Sequence, residues 1–414
     1  MKSWVEISGE RLRANYQILL QAAGPGTAVL AVLKADAYGH GLEVCAPVLA
    51  RAGAEWIGVG GVEEGLAARR SLHAAGIDKA EQPRILVMCG HSRQDAEGIV
   101  DAGLTPVIWR VEQVAWLYEA ARRLGMSTTL PVHVEVDSGM TRQGARPGPE
   151  LAAVLQAIRQ SVALGVSGAL RLDGVMTHFA SGEVAGSTQT LEQQQRFEAA
   201  LAQVHDANFL PEWIHAGNSS GVDVELVGQS EDTIGWLHRT AAKASGTPMV
   251  RAGIALHGYC LPMELVDALP VTVLPATERL AHRLQPVMTW KAKIVDVSDV
   301  RPGDAVGYNG TFVAEQPMRL ALLEVGYADG LRLELSSTNA RPGGWVMVRG
   351  QRAPIVGRIS MNLTTVDVTG IPGVATGDEA VVLGDGITAE DHARLASTVV
   401  YEIVCGVRAA SRLV

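Results

Sequence analysis

The sequence lacks the features that mark several large classes of protein. It has no block of basic residues, and its net charge of −9 has the wrong sign for binding nucleic acid. No apolar stretch approaches the ~20 residues of a membrane-spanning helix, and the N-terminal residues form no apolar signal region. The four cysteines are far apart and predict neither a metal site nor a disulfide framework. We therefore expect a cytoplasmic protein with reduced thiols, without a metal, and with neither nucleic acid nor membrane as a partner.

Up to about residue 260, short apolar runs alternate with longer amphipathic segments. Eight runs have the character of strands: 28–35, 56–61, 84–89, 105–109, 132–137, 174–179, 213–217 and 249–256. This alternation predicts parallel strands joined by helices, and eight such units make a (β/α)8 barrel of the TIM type. An open doubly wound sheet is the alternative, but the Gly-x-Gly-x-x-Gly turn typical of its first strand is absent.

From about residue 280 the pattern becomes that of a mainly β domain. Alternating segments predict strands over 286–297, 319–325, 345–349 and 363–368, and a last helix is predicted over 389–405. We therefore predict an α/β barrel over residues 1–270, followed by a mainly β C-terminal domain over 271–414.

Lys34 stands at the end of the first apolar run and is followed by a glycine-punctuated turn. Burial disfavours a charged ammonium and lowers its pKa, so Lys34 is a candidate nucleophile or base. The alternative is a lysine whose stem merely lies along the apolar surface while its ammonium reaches solvent. These residues alone leave both interpretations open.

Other chemically active residues also follow the predicted strands. They are Arg142 after the fifth strand, His178 after the sixth, Asn218 and Ser219 after the seventh, and Arg251, Gly253 and Ile254 in the eighth. Active sites of barrels lie at the carboxyl ends of the strands, so these residues are expected to converge with Lys34 on one mouth. Taken singly, His178 is equally typical of a core histidine, and Arg142 of an arginine in an ion pair.

The segment Val32-Leu-Lys34-Ala-Asp-Ala-Tyr38-Gly-His-Gly41 resembles the cofactor-lysine signature of alanine racemases. The similarity runs from Trp4-Val-Glu-Ile to Tyr401-Glu-Ile-Val-Cys405. In that family a barrel carries pyridoxal 5′-phosphate (PLP) on the lysine, and the first strand joins the C-terminal β-domain. The resemblance implies that Lys34 holds PLP, that Arg251 contacts its ring nitrogen, and that His178 packs against its ring. The other cofactor-binding positions are Tyr38, Asn218, Ser219, Gly253, Ile254 and Tyr401.

The resemblance also assigns residues of the second domain. It implies that Tyr308 is the second catalytic base, that Tyr327 guards the entrance, and that the backbone amide of Met361 contacts the substrate. Arg142 matches an arginine near the substrate carboxylate. In the family the three elements of the second domain reach the other subunit's active site, which implies a homodimer with shared sites. Taken alone, Tyr308 and Tyr327 would be ordinary strand aromatics.

The function that this resemblance implies is interconversion of L- and D-alanine by two bases, Lys34 and Tyr308, which would supply D-alanine for peptidoglycan. A broad-specificity amino-acid or serine racemase is the nearest alternative. A PLP decarboxylase is less favoured, because such enzymes usually place a carboxylate at the ring nitrogen, where this chain has Arg251. A PLP carrier without enzymatic activity is disfavoured too, because the resemblance continues past the barrel into the β-domain.

Two departures from the family pattern produce expectations of their own. Glu135 stands where many members carry a lysine modified to a carbamate, seven residues before Arg142. We expect the Glu135 carboxylate to pair with Arg142 without any modification. The segment 222–248 is longer than usual, and we expect an additional helix or flap over the seventh strand.

Overall fold

A computed structural model describes residues 2–163, 169–222, 226–227, 233–260, 264–265, 272–273 and 279–414. The chain divides into two compact units. We call one the barrel unit (Glu10–Ala35 and Cys45–Gln285) and the other the β-unit (Met1–Gly9, Asp36–Val44 and Pro286–Val414). The domain boundary predicted between residues 270 and 271 lies outside the described residues.

The barrel unit contains eight parallel strands that form a closed barrel. In chain order they are Ala28–Val32, Trp56–Val59, Arg84–Val87, Thr105–Ile108, Leu130–Glu135, Leu170–Met176, Trp213–His215 and Thr247–Ala252. The first strand pairs in parallel with the last, from Ala28 against Met249 to Ala31 against Ala252, which closes the ring. Each strand overlaps one of the eight predicted runs, so the predicted TIM-type barrel is confirmed.

Helices cover the outside of the strands, as parallel connections require. Those of the barrel unit and its connections are Gly9–Ala23, Leu42–Arg51, Val62–Ala74, Ala96–Asp101, Val111–Arg123, Pro149–Ala163, Thr188–Asp206, Ser219–Val222 and Thr233–Lys243. The longest begins where the Ser187 hydroxyl accepts a hydrogen bond from the Thr190 N–H, and it buries Phe197 and Leu201. None of the helices in the described ranges is long and apolar enough to cross a membrane.

The long segment over 222–248 is partly described. Thr233–Lys243 is helical, and Trp236 fixes it by packing on Phe179 at 5.5 Å and donating Nε1–H to the Glu198 carboxylate at 2.8 Å. Residues 223–225 and 228–232 of this segment, for which a helix or flap was predicted, lie outside the described residues, and Leu226–Val227 forms a short strand that pairs with Thr272–Val273. A second short pair joins Val184–Ala185 to Glu264–Leu265.

The β-unit is organised around one long strand, Met288–Val300, whose alternate residues are buried. Ser3–Ile7, Met318–Leu323 and Glu379–Leu383 pair with it antiparallel. The other strands are Ala305–Val306, Phe312–Val313, Trp345–Val348, Gln351–Pro354, Thr364–Asp367 and Ser411–Leu413. The predicted mainly β second domain is therefore present, and the N-terminal strand belongs to its sheet.

The helix predicted over 389–405 is wrong as a single element. The structure has two helices, Ala389–Ala396 and Val400–Gly406. Ser397 ends the first in the left-handed region, with φ 53°. The Thr398 N–H then returns to the Ala393 carbonyl at 2.9 Å, and its hydroxyl donates to the Glu402 carboxylate. A left-handed residue followed by such a backbone hydrogen bond is a common C-terminal cap of a helix, which explains the break.

Candidate active site

Lys34 follows the first barrel strand directly and begins the short helical turn Lys34–Tyr38. The strand end is fixed by the Leu33 N–H, which donates to the Gly58 carbonyl of the next strand at 2.7 Å. The Lys34 side chain is half-buried, and within the described part of the chain its ammonium has no hydrogen-bond or ion-pair partner. A fixed backbone with an unpaired amine is what an amine nucleophile or base requires.

The turn after Lys34 is left-handed. Ala35, Asp36, Ala37 and Tyr38 all have φ of 53–54°, although none is glycine. This conformation costs roughly 1–2 kcal/mol per residue for an L-amino acid, so other contacts must compensate. The Asp36 carboxylate accepts from the Leu42 N–H at 2.6 Å, and its carbonyl accepts from the Gly41 N–H at 2.9 Å.

Tyr38 ends this turn on the β-unit side of the division. Its ring lies 6.0 Å from the ring of Tyr401, so two predicted phosphate-binding residues lie together. Burial, followed by the neighbouring Tyr401 and Cys405, raises the pKa of Tyr38, so its hydroxyl keeps its proton at neutral pH. Gly39 lies so close to Val404 that a Cβ there would be 2.2 Å from the Val404 carbonyl oxygen.

Arg251 is 4% exposed inside the barrel and is held by its neighbours. Its Nη2 donates to the Thr177 carbonyl at 2.8 Å and to Nδ1 of His178 at 2.9 Å. Burial, and then the charges of Arg251, Arg142 and Lys34, lower the pKa of His178 to about 3, so this imidazole is neutral. The positive charges of Arg251, Arg142 and Lys34 therefore act on the uncharged His178 ring at the mouth of the barrel.

The charge of Glu135 acts on two of these cations, Arg251 and Arg142, but the prediction that Glu135 pairs directly with Arg142 is wrong. The Glu135 carboxylate accepts a hydrogen bond from Nε2 of Gln143, which also donates to the Met88 carbonyl at 2.9 Å. Burial raises the pKa of Glu135, while Gln143, Arg251 and Arg142 oppose this rise. Arg142 is exposed, and no carboxylate among the described residues lies within ion-pair distance of it. It acts on Glu135 through charge alone, because its side chain extends towards solvent.

An anion cradle forms where the last two barrel strands end. The Ser219 hydroxyl oxygen accepts from the N–H groups of Gly253 and Ala255, at 3.0 and 3.3 Å, at the start of the 3₁₀ turn Ile254–His257. Its own hydrogen remains available, because a hydroxyl donates one bond while it accepts two. Asn218 has a local role instead: its amide oxygen accepts from the Ser220 N–H at 3.1 Å, and its Nδ2 donates to Glu183 at 3.1 Å.

The three remaining predicted residues lie on the surface of the β-unit. Tyr308 is 67% exposed, Tyr327 46% and Met361 55%, so none of them is a core residue of that sheet. Backbone hydrogen bonds join the last two segments: Tyr327 N–H to the Ser360 carbonyl at 3.1 Å, and Ala328 N–H to the Met361 carbonyl at 2.9 Å.

The segment of Tyr308 lies beside the segment of Met361. A Cβ on Gly357 would be 2.7 Å from the Val306 carbonyl oxygen, which requires glycine at this contact. The β-unit therefore brings its three predicted elements together at one exposed place.

Sequence reasoning missed a set of buried polar residues under Arg251. His133, Asp173 and His215 are fully buried in three barrel strands. Their signal in the sequence is a polar residue inside an otherwise apolar strand, which does not reveal contacts across strands. Among the described residues no cluster of His, Cys, Asp and Glu is arranged to hold a metal ion.

The donors at the barrel mouth fit PLP. Lys34 offers an amine for a carbonyl, Arg251 offers N–H donors for a ring nitrogen, and the Ser219 cradle offers a hydroxyl for a phosphate. The positive charge of Arg251, Arg142 and Lys34 that acts on His178 suits a dianionic phosphate and a substrate carboxylate.

Comparison with known proteins gives the same family over nearly the whole chain. Residues 7–260 match the alanine racemase N-terminal domain, and residues 287–414 match the alanine racemase C-terminal domain. The alanine racemase of Syntrophobacter fumaroxidans is 36% identical over 98% of this chain and 95% of its own. The alanine racemase of Methylacidiphilum infernorum is 32% identical over 98% of this chain and 90% of its own.

Solved structures agree. The alanine racemase from Streptomyces coelicolor A3(2) has a TM-score of 0.80 and 30% identity, and the match covers 100% of this chain and 98% of that one. The Bartonella henselae alanine racemase with covalently bound pyridoxal phosphate shares the fold, with a TM-score of 0.74, 24% identity and full coverage of both chains. The chain thus belongs to the alanine racemase family and is an isomerase that interconverts L- and D-alanine.

Proposed function

We propose that the chain racemises alanine with PLP on Lys34 and with two bases, Lys34 and Tyr308 of the partner subunit. The observation that carries this proposal is the unpaired Lys34 amine among cations that surround a neutral His178. When bound, PLP supplies an electron-withdrawing ring that makes the α-proton of an amino acid acidic. The family resemblance supports D-alanine supply for peptidoglycan as the cellular role.

Each base serves one face of the substrate. Lys34 takes or returns the α-proton on the face of the first barrel strand, and Tyr308 serves the opposite face. In this scheme Lys34 acts on D-alanine and Tyr308 acts on L-alanine. The 67% exposure of Tyr308 supports a role towards a second copy of the chain, because a core tyrosine would be buried.

Arg251 keeps its proton while it faces the ring nitrogen. Burial lowers the pKa of Arg251 to about 10, with Glu135 opposing and Arg142 adding to this effect. That value leaves the guanidinium charged at neutral pH, so it donates a hydrogen bond and the nitrogen that accepts it remains without a proton.

The other predicted residues bind the cofactor or the substrate and hold it in its orientation. Ser219, Gly253 and Ile254 hold the phosphate from the barrel, and Tyr38 and Tyr401 hold it with their hydroxyls, while Asn218 shapes the loop. His178 packs against the ring, and Arg142 receives the substrate carboxylate. Tyr327 and the Met361 amide limit the space at the substrate, which favours a side chain as small as the alanine methyl group.

The cofactor and base assignments are tested with the purified chain. We expect a visible absorbance band that borohydride removes, with the modified peptide containing Lys34, and conversion of L-alanine to D-alanine measured by chiral chromatography. Lys34→Ala is expected to lose both properties. Tyr308→Phe is expected to keep the cofactor and to lose about 10²–10⁴-fold in proton exchange from L-alanine. Tyr118→Phe, on an outer helix, is the matched control. Full activity of Tyr308→Phe would refute the second base.

Shared sites are tested by mixing two inactive variants. A dimer of one Lys34→Ala chain and one Tyr308→Phe chain would contain one site with both bases intact, if each site takes Tyr308 from the partner subunit. Random exchange of subunits is then expected to restore about one quarter of wild-type activity. If both bases of a site came from one chain, the mixture would remain inactive. Relative kcat/KM for alanine, serine, lysine and arginine defines the substrate range.

A further inference from the structure

A continuous line of buried polar side chains descends through the barrel from Arg251. Nη1 of Arg251 lies 3.4 Å from Nδ1 of His215, and Nε2 of His215 lies 2.8 Å from Nδ1 of His133. Nε2 of His133 then lies 3.7 Å from the Asp173 carboxylate. Barrel interiors are usually filled by layers of branched apolar side chains, so these four groups are a departure that calls for a physical reason.

The strand between the two histidines is shaped for their contact. His133 and His215 stand on strands that flank Leu170–Met176, so their hydrogen bond passes over that strand inside the barrel. Gly174 lies under the crossing, and a Cβ there would be 2.6 Å from the His133 ring. The missing side chain at Gly174 is therefore a condition for the contact.

The direction of every hydrogen bond in the line follows from its upper end. A guanidinium only donates, so Nδ1 of His215 accepts and the His215 proton is on Nε2. That proton is donated to Nδ1 of His133, which places the His133 proton on its own Nε2, facing Asp173. At 3.7 Å the carboxylate acts through its charge and favours the tautomer whose N–H points at it.

The lower end of the line is anchored at the amino ends of the strands. Arg84 and Arg171 both form ion pairs with Asp173, and their side chains are 34% and 50% exposed. Burial alone would raise the pKa of Asp173, but His133 and Arg84 lower it to about 2, so the carboxylate is ionised at neutral pH. Burial lowers the pKa of both His133 and His215, which keeps both rings neutral.

We propose that Asp173, His133 and His215 are positioning residues for Arg251: two one-way hydrogen bonds run from Arg251 through His215 to His133, and the charge of Asp173 orients the His133 ring, so that the remaining N–H groups of Arg251 face the cofactor ring. The hydrogen bond with His215 fixes the plane of the Arg251 guanidinium from one end, and the Thr177 carbonyl and His178 fix it from the side. An ionised carboxylate at the far end of two aligned neutral imidazoles also offsets the cost of a buried cation. The positioning of Arg251 depends on the proposed function in one respect: that function identifies the group bound beside Arg251 as PLP.

The tautomers give a direct test in the full-length enzyme as purified, with its cofactor bound. The histidines are labelled with ¹⁵N, and long-range ¹H–¹⁵N correlation spectra are recorded at pH 7. We expect His133 and His215 to be neutral with the proton on Nε2. A proton on Nδ1 of either ring, or a charged ring, would overturn the proposal.

A matched pair of substitutions tests the link to the cofactor. His133→Leu removes the acceptor for the His215 N–H, whereas His133→Asn puts an amide oxygen near the place of Nδ1. We expect His133→Leu to change the His215 signals and to weaken PLP binding about tenfold, measured by fluorescence titration after the cofactor is removed. His133→Asn is expected to restore both.

The control is Arg171→Gln, which removes the half-exposed ion-pair partner of Asp173 but leaves the two hydrogen bonds between Arg251, His215 and His133 intact. It is expected to lower the melting temperature slightly, with the His215 signals and the PLP affinity unchanged. If both His133 variants lowered only the melting temperature, the residues would be structural and the proposal would fail. The tautomers do not depend on turnover, so a chain that shows them but does not racemise alanine would refute the proposed function alone.

Discussion

Replacing Gly39 by alanine tests how strongly the turn after Lys34 depends on its contact with the β-unit helix Val400–Gly406. Gly39 has φ +78°, and a Cβ there would be 2.2 Å from the Val404 carbonyl oxygen and 3.3 Å from the Cα of Cys405. Because both neighbours are backbone atoms, they cannot rotate away, and the turn or the helix must shift. The left-handed conformation costs about 1–2 kcal/mol and the overpacking about 1–3 kcal/mol, so we expect a loss of about 2–5 kcal/mol.

Gly24 provides the matched control. Its φ is +79°, and no heavy atom lies within 4 Å of the position that its Cβ would occupy. Gly24→Ala therefore has the conformational cost without the collision, and a loss of about 1–2 kcal/mol is expected. Scanning calorimetry of the two purified variants should separate them by several degrees, since about 1 kcal/mol corresponds to roughly 2–4 °C in a domain of 150–250 residues.

The same variant has a functional readout. A shift of Gly39 moves its neighbour Tyr38 relative to Tyr401, and the proposed phosphate contacts then weaken. We expect Gly39→Ala to bind PLP less tightly and Gly24→Ala to bind it as the wild type does. Equal melting temperatures for the two variants, with equal PLP affinity, would refute the reasoning from close backbone approach.

Three other single substitutions probe the backbone and the buried charges. Ala35→Gly should stabilise the protein by about 1 kcal/mol in chemical denaturation, because φ is 53° there and glycine adopts it without strain; a loss of stability would contradict this. Burial alone would raise the pKa of Glu6, but Lys291 and Trp4 lower it to about 2, so its stabilising effect is present above pH 4.5 and is lost as the pH falls towards 2. Glu6→Gln should therefore be less stable than wild type at pH 7, with a difference that shrinks in acid melts; a constant difference would be inconsistent with this ion pair. For Glu135 the pH dependence is opposite, because burial raises its pKa above the ordinary 4.5. The wild type therefore loses stability as the pH rises from 4.5 to the raised pKa. The stability of Glu135→Gln relative to wild type should then increase from pH 4.5 upwards, and a flat difference would show that folding does not raise the pKa of Glu135.

The barrel could be predicted from the sequence because its strands are short, apolar and regularly separated by amphipathic helices. Residues at the carboxyl ends of such strands meet at one mouth, so Lys34, His178 and Arg251 could be placed together without coordinates. The left-handed turn after Lys34 could not be predicted from the sequence, because Ala35 and Ala37 strongly favour right-handed helix. Gly39, directly after this turn, lies against Val404, and no local pattern in the sequence reveals a contact so far along the chain.

Two wrong predictions, the single C-terminal helix and the pair of Glu135 with Arg142, also depend on contacts that the sequence does not reveal. The break after Ala396 lies in a stretch whose apolar periodicity continues, and only the return of Thr398 to Ala393 reveals the end of the helix. The expected pair of Glu135 with Arg142 rests on the family resemblance, because Glu135 stands where many members carry a carbamate. In the folded chain Gln143 takes the carboxylate, because the order of residues along a loop does not determine which side chain turns inward.

The pairing of Ser3–Ile7 with Met288–Val300 has a consequence for synthesis on the ribosome. The strand Ser3–Ile7 leaves the ribosome before the barrel, and its antiparallel partner follows only after the whole barrel has been translated. At about 5–20 residues per second this delay is roughly 15–60 s, long enough for the barrel to fold first. During that time an apolar strand edge remains uncovered, and nascent chains are exposed there to chaperones or to mispairing. A fragment that begins at Pro286 would lack this strand, so the β-unit cannot be obtained by cutting the chain once.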